Sequence, residues 1–302
     1  MSLLTKTLGR IAPGYQSFSS WCQVYDKIIG ARPLGTKTLQ NRRKNVAHLV
    51  LALGDKSMRS IRPVHVSVAV RDIWQSGTQF TARRVLIEAV DIFNEAILAG
   101  VIDTNPAIHI KQMPARIKRQ RLTLEQWQAM YWRSVDHNVV WLPKLLLLAL
   151  ATGQRRADLQ KLRFDDVWDD HLHVIQQKTG TRLALPLTLR LDAIEWTLGD
   201  VIKSCRNYAP TGKTLLRKPN GKPPGLASLS ARFEECFDSV YPEWPEDGTQ
   251  PSLHECRSLA ERLYRAQGID TQTLLGHKHQ SMTDKYNDDR GLSRNDWKTL
   301  VL

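Results

Sequence analysis

Residues 254–290 read HECRSLAERLYRAQGIDTQTLLGHKHQSMTDKYNDDR. The apolar spacing predicts one helix from His254 to Gln267 and a short second one from Thr271 to Leu275. His254 and Arg257 stand at i and i+3, so the start of the first helix presents both on one side. The second helix leads into Leu274-Leu275-Gly276-His277, and Tyr286 follows His277 after nine residues. Taken singly, a core histidine and a buried tyrosine account for His277 and Tyr286. Their company elsewhere in the chain changes that reading.

Upstream, Leu145 to Ala151 is a buried-helix run that opens into Thr152-Gly153-Gln154-Arg155-Arg156-Ala157-Asp158. Gly153 lets the chain turn sharply, which leaves Arg155 beside a hydrophobic element and in need of a partner. Asp158 is the candidate structural residue here, either orienting Arg155 or capping the short helix Ala157 to Leu162. His171 to Gln176 and Arg182 to Leu187 alternate as two strands, joined by a hairpin with Lys178 at its tip. Alone, a hairpin lysine is usually a solvated one. Together, Arg155, Lys178, His254, Arg257, His277 and Tyr286 form a set suited to a phosphodiester. Paired guanidinium donors hold non-bridging oxygens, tyrosine is an oxygen nucleophile once a base takes its proton, and lysine can protonate the departing oxygen. The cations are side chains, so neither a metal nor another cofactor is required.

The rest of this half continues the pattern. Thr123-Leu124-Glu125-Gln126 is a capping box before a helix to about Val135, and Pro143 suits the first turn of the helix ending near Thr152. Leu191 to Ser204 and Ser228 to Phe237 read as helices, and Trp297 to Leu302 as a short strand. The N-terminal part is helical over Ser19–Ile29, Lys37–Leu53, Val64–Trp74 and Thr81–Leu98, with Thr36 as the cap of the second helix. Phe18, Trp21 and Tyr25 fall at helical spacing and are expected in its core. The fold class is therefore two-domain: an all-α four-helix domain over 14–105, a basic linker over 106–121, and a mixed, mainly α domain with a small antiparallel sheet over 122–302.

The chain has 302 residues with 43 Lys and Arg against 30 Asp and Glu, a net charge of +13. Residues 1–110 carry +7, residues 111–121 carry +5 and residues 122–302 only +1, so the field that draws a polyanion is local. Candidate contacts to such a polyanion, whether DNA or an acidic membrane surface, are Arg42, Arg43, Lys44, Arg83 and Arg84 on the helices, and Lys111, Arg116, Lys118, Arg119 and Arg121 in the linker. An apolar fraction of 42% excludes a generic disordered chain, and no run approaches the roughly 20 apolar residues of a membrane span. The N-terminus lacks the pattern of a secretion signal, and four scattered cysteines are expected as reduced thiols without zinc spacing. A cytoplasmic, nucleoid-associated location is expected.

These motifs, in this order, resemble the phage integrase family of tyrosine recombinases, specifically its lambda-like branch. Thr152-Gly153-Gln154-Arg155 is similar to the family's first-arginine motif with Asp158 at its acidic position. Lys178-Thr179-Gly180 is similar to the hairpin-lysine motif, His254 to Arg257 to the histidine-x-x-arginine box, and Leu275-Gly276-His277 precedes Tyr286 by the family spacing. The stretches Arg257 to Tyr264 and Tyr286 to Gly291 are the lambda-like ones. The resemblance implies a SAM-like core-binding domain and a DNA breaking-rejoining catalytic domain that close on duplex DNA. It implies attack by Tyr286 to form a 3′-phosphotyrosine, with Arg155 and Arg257 on the phosphate and Lys178 as general acid. His254 would assist the proton transfer and His277 would hydrogen-bond the phosphate. A homotetramer on specific core sites would then pass through a Holliday junction, with the tail 287–302 docking on a neighbour. A DNA-bending protein or directionality factor is a further partner the resemblance allows, although residues 1–13 are too short for an arm-binding domain. Relaxation of supercoils by a type IB topoisomerase, or a catalytically silent DNA-binding protein, are the alternatives.

Overall fold

The computed structural model describes residues 16–115, 119–136, 138–209, 212–244 and 249–288. The chain divides into two compact units, Met1–Ile117 and Lys118–Leu302.

The first unit is an all-α bundle of α1 (Phe18–Gly30), α2 (Thr36–Leu53), α3 (Pro63–Gln75) and α4 (Gln79–Leu98). On α1, Phe18, Trp21, Tyr25 and Ile29 recur every three or four residues and are fully buried, as are Val85, Ala89, Ile92, Phe93 and Ala96 on α4. Each large side chain so buried contributes roughly 1.5–3 kcal/mol, which is why these aromatics serve the core rather than a DNA base. The cap expected of Thr36 falls one residue earlier. Gly35 is extended (φ −63°, ψ 146°) and holds the N-cap position, so Thr36 is already helical and its side chain makes no cap bond.

Two of the expected basic contacts turn inward or pair. Arg42 is not a solvated cation: its Nε lies 2.9 Å from Glu88 and its Nη2 pairs with Asp91, both on α4. Arg43 pairs with Asp26 at 2.7 Å on the surface, whereas Lys44 and Arg84 are exposed. Part of the expected linker lies on the bundle. Ala107 is buried, Trp74 Nε1 donates to Pro114 O at 2.9 Å, and Arg83 donates to Gln112 Oε1 at 3.0 Å. Arg116 and Lys118 lie outside the described residues, and Lys111 is exposed.

The second unit is a mixed α/β region built around α6 (Leu142–Thr152), in which every residue but Lys144 is buried. A helix apolar all round must be covered all round. The covering helices are α5 (Leu124–Val135), α8 (Leu198–Ser204), α9 (Leu226–Val240) and α10 (Glu255–Ala266). The Thr123–Gln126 capping box starts α5, with Gln126 N donating to Thr123 Oγ1 at 3.1 Å. After α7 (Arg156–Leu159) comes an antiparallel sheet in the order β1 (Val167–Trp168), β2 (His171–Ile175), β3 (Arg182–Pro186). The β2–β3 register pairs Val174 with Leu183 and Ile175 with Arg182, so Leu172, Val174, Leu183 and Leu185 share the buried face.

The helix expected over Leu191–Ser204 is shorter. A two-stranded ribbon of β4 (Arg190–Leu191) and β5 (Trp196–Thr197) flanks a 3-10 turn, and only then does Thr197 cap α8 by accepting from Asp200 N. Glu195, in the left-handed region at φ 59°, makes that turn and stops the helix from starting earlier. Two short helices complete the unit, α11 (Thr271–Leu275) and α12 (Gln280–Asn287). The strand expected at Trp297–Leu302 and most of the tail lie outside the described residues. All four cysteines are buried and unpaired with one another. Among the described residues no helix is long and apolar enough to cross a membrane.

Candidate active site

The site is assembled where four segments of the second unit end. The first is the turn after α6. Gly153 takes a left-handed φ of 60°, and a Cβ there would meet Leu275 Cδ2 at 3.0 Å, so the turn sits tightly on α11. Arg155 follows in extended geometry at the start of α7, and its Nη1 donates to Gln176 Oε1 at 2.9 Å. Gln176, just past β2, is fully buried. Its Nε2 donates to Gln154 Oε1 at 2.8 Å and to Leu275 O at 2.9 Å, while Thr179 Oγ1 donates back to its Oε1 at 2.9 Å. One amide therefore ties the arginine turn, the lysine hairpin and α11 together. Asp158 neither pairs with Arg155 nor caps a helix: its Oδ1 accepts from Gln177 N at 2.8 Å. The short α7 aims this carboxylate at the hairpin backbone instead, one residue before Lys178. Lys178 itself is exposed.

The second segment is the start of α10. Arg257 is 1% exposed. It donates from Nη1 to Gly153 O and from Nη2 to Leu275 O, each at 2.6 Å, and its Nη2 lies 3.0 Å from His277 Nε2. An arginine can only donate, so His277 Nε2 accepts, and a neutral His277 carries its proton on Nδ1, 2.9 Å from Thr283 Oγ1. The buried Arg257 Nε has no partner. Gly276, immediately before His277, has φ 63°, and a Cβ there would lie 2.9 Å from Gln176 Nε2. Only glycine fits that corner.

Tyr286 arrives on α12. Its hydroxyl lies 3.2 Å from His254 Nε2, its ring is 5.4 Å from that of His277, and Arg257 Cζ is 5.7 Å from the ring centroid. The backbone around it is gripped from outside the helix. Ser258 Oγ donates to Tyr286 O at 2.9 Å, and Arg121 donates to Lys285 O at 2.6 Å and to Asp288 O at 2.7 Å. Arg121, expected as a DNA contact, is instead 3% exposed and ion-paired with Glu255 at 2.9 Å. The carbonyls at the end of α12 outcompete solvent for it because they lack helical partners of their own.

Burial and the neighbouring cations together set the protonation of the site. His254 is lowered to about 4, by loss of hydration and then by Arg257, Arg155, Arg119 and Arg121. His254 is itself exposed, with the arginines gathered on its inner side. His277 is also lowered to about 4, by burial and then by Arg257 and Arg155. Burial and Arg155 bring Arg257 down to about 10, which leaves it charged at neutral pH. Both imidazoles are consequently neutral near pH 7, and His254 Nε2 can accept the Tyr286 proton.

Arg155, Arg257, His254, His277 and Tyr286 are thus brought to one place, and Lys178 stands on a hairpin fastened to it. Gln176, Ser258 and Thr283 had not been singled out from the sequence. Gln176 carried one sign, a polar residue ending an alternating strand just before the hairpin lysine. Ser258 and Thr283 carried none. Among the described residues no group of three His, Cys, Asp or Glu side chains could hold a metal ion.

A tyrosine hydroxyl against a neutral imidazole, with Arg257 buried and Arg155 half-buried beside it, is the arrangement of a tyrosine recombinase. The chain belongs to the phage integrase family, whose profile matches residues 120–291. A prophage integrase of Escherichia coli (strain K12) is 37% identical over 94% of this chain and 78% of its own length. The integrase of Enterobacteria phage P21 is 41% identical over 81% of this chain, and the match spans 65% of that relative. Among solved structures, a lambda integrase tetramer bound to a Holliday junction is similar with a TM-score of 0.88 and 28% identity, over 98% of this chain and 84% of that one.

Proposed function

We propose that this chain is a site-specific DNA recombinase that cuts and rejoins duplex strands through Tyr286. The observation that carries it is the Tyr286 hydroxyl lying 3.2 Å from an imidazole held neutral by arginines. In the proposed cycle the Tyr286 oxygen attacks the scissile phosphorus and its proton passes to His254 Nε2. The bond from phosphorus to the 5′ oxygen breaks, leaving a 3′-phosphotyrosine, and Lys178 protonates the departing oxygen to a 5′-hydroxyl. Arg155 and Arg257 stabilise the charge that builds on the non-bridging oxygens, and the unpartnered Arg257 Nε supports that role. Once Arg257 turns toward the phosphate, His277 takes the tautomer with its proton on Nε2, accepts from Thr283 Oγ1 at Nδ1, and donates to the phosphate. A 5′-hydroxyl from another duplex reverses each step. One ester replaces another, so no ATP, metal or cofactor enters.

The finer architecture follows the same reading. Residues 14–105 are a SAM-like core-binding domain, 106–121 a linker and 122–302 a DNA breaking-rejoining domain. The exposed Arg43, Lys44, Arg83, Arg84, Lys111 and Arg119 are the chain's DNA contacts, with Arg116 and Lys118 proposed from the sequence alone. A homotetramer on two core sites, passing through a Holliday junction, is supported by the lambda integrase assembly of the same fold. A bacterial cytoplasm with its nucleoid is the proposed location, and a DNA-bending protein or directionality factor remains a proposed partner.

The test begins with a nicked duplex pool randomised over its core, from which the protein captures its own site covalently. Two intact duplexes carrying the captured site should then exchange partners and yield recombinants by way of a four-way junction. Supercoil relaxation without exchange would establish the topoisomerase reading instead.

A further inference from the structure

We propose that Arg121 is a positioning residue that sets the Tyr286 nucleophile through its backbone, an inference that rests on Tyr286 being the attacking group. The last carbonyls of a helix have no intrahelical donor, and a short helix has little else to fix its end. Of α12's eight residues only Thr283 is buried, so packing alone holds it weakly. Arg121 supplies what packing does not. Its planar guanidinium spans Lys285 O and Asp288 O, the carbonyls on either side of Tyr286, at 2.6 and 2.7 Å. Ser258 holds the carbonyl of Tyr286 itself at 2.9 Å.

The same guanidinium donates from Nη1 to Glu255 Oε2 at 2.9 Å. Glu255 lies between His254 and Arg257, in the first turn of α10. One buried cation therefore registers the helix carrying the nucleophile against the helix carrying its base and a phosphate-binding arginine. A lysine could not do this, because its single ammonium cannot present three fixed donors to three separate acceptors.

Arg121 also ends the basic stretch that the sequence reads as a linker, at the start of the second unit. Just before it, Gln120 N donates to Thr249 O at 2.9 Å, so this end of the linker is fastened within the second unit. The linker's exit and the nucleophile's placement thereby share one side chain. Arg121 acts on the tyrosine, not on the phosphate, and that distinction is what an experiment can read.

Arg121→Met leaves the Glu255 carboxylate buried without its cation, so the double variant Arg121→Met/Glu255→Gln is made beside it to keep the fold intact. Three quantities are measured on the captured core duplex: its Kd, the single-turnover rate of adduct formation, and strand cleavage by hydrogen peroxide in a Tyr286→Phe background. Peroxide anion attacks the same phosphorus, expels the same 5′ oxygen and needs no positioned tyrosine. The expected result is an adduct rate about 30-fold or more below the parent in both variants, with Arg121→Lys intermediate. Duplex Kd stays within about twofold, and peroxide cleavage matches that of Tyr286→Phe alone. An adduct rate within about threefold of the parent overturns the proposal. So does a parallel fall in Kd, adduct rate and peroxide cleavage, which would make Arg121 merely structural. Failure of the nucleophile assignment looks different: Tyr286→Phe with Arg121 intact would still form a protein–DNA adduct.

Discussion

His254 Nε2 lies 3.2 Å from the Tyr286 hydroxyl, at the open side of a site whose inner wall is Arg257. Loss of hydration and the arginines lower the pKa of this imidazole to about 4, so it is unprotonated across the ordinary pH range and free to accept the tyrosine proton. Replacing it with His254→Ala is expected to slow single-turnover adduct formation about 100-fold, in keeping with the loss of a positioned base. Duplex affinity should remain within about twofold. An unchanged adduct rate would remove His254 from the chemistry.

The same depressed histidines make folding stability depend on pH. Between the model-peptide value of 6.5 and the folded value of about 4, the unfolded chain binds protons that the native His254 and His277 refuse. Stability is therefore fully present above pH 6.5, falls as pH drops through this window, and loses nothing further from these groups below about 4. His277→Gln, which removes the more buried of the two, should flatten the thermal midpoint against pH between 7 and 4.5. A variant curve parallel to the parent's would show that His277 is not held neutral.

Gln176 is expected to matter more to catalysis than its neutral amide suggests. Gln176→Ala deletes the acceptor of Arg155 and the donor to Gln154 and Leu275, all inside a buried setting. The stability cost is about 1–3 kcal/mol, read as a lowered denaturation midpoint. Adduct formation should fall at least about tenfold because Arg155 loses its orientation while duplex binding persists. Gln176→Glu would place a carboxylate against Arg155 and Leu275 O, and it should not rescue the rate.

Gly276 offers a backbone test of the same corner. With φ 63° and a Cβ position 2.9 Å from Gln176 Nε2, Gly276→Ala must both strain the chain and push the amide aside. A loss of roughly 1–3 kcal/mol in stability is expected, together with a lower adduct rate. Gly180, also at positive φ but with open space around it, should lose stability when changed to alanine without the added effect on Arg155.

Two members of the candidate site were legible because they interrupt an apolar pattern: Arg155 after the buried α6, and Arg257 at the start of α10. The helices α1 to α6 were legible for the matching reason, apolar periodicity bounded by capping or turn residues. α12 was not, since Gln280 to Asn287 buries one threonine and is held by bonds from Ser258, 28 residues away, and from Arg121, 164 and 167 residues away. The ribbon before α8 was hidden by the helical spacing of Leu191, Ile194, Leu198 and Val201, which a left-handed Glu195 breaks. Arg121 misled for a different reason. Its basic neighbours made it read as part of a charge run, and only long-range acceptors reveal that its charge is turned inward.

In the proposed cycle Tyr286 forms the covalent bond to DNA. The most direct measurement is capture on a nicked duplex of the selected core, followed by proteolysis and mass mapping of the cross-linked peptide. The expected result is a single 3′-phosphotyrosine at Tyr286, absent from Tyr286→Phe. An adduct on any other residue, or one that survives in Tyr286→Phe, would contradict it.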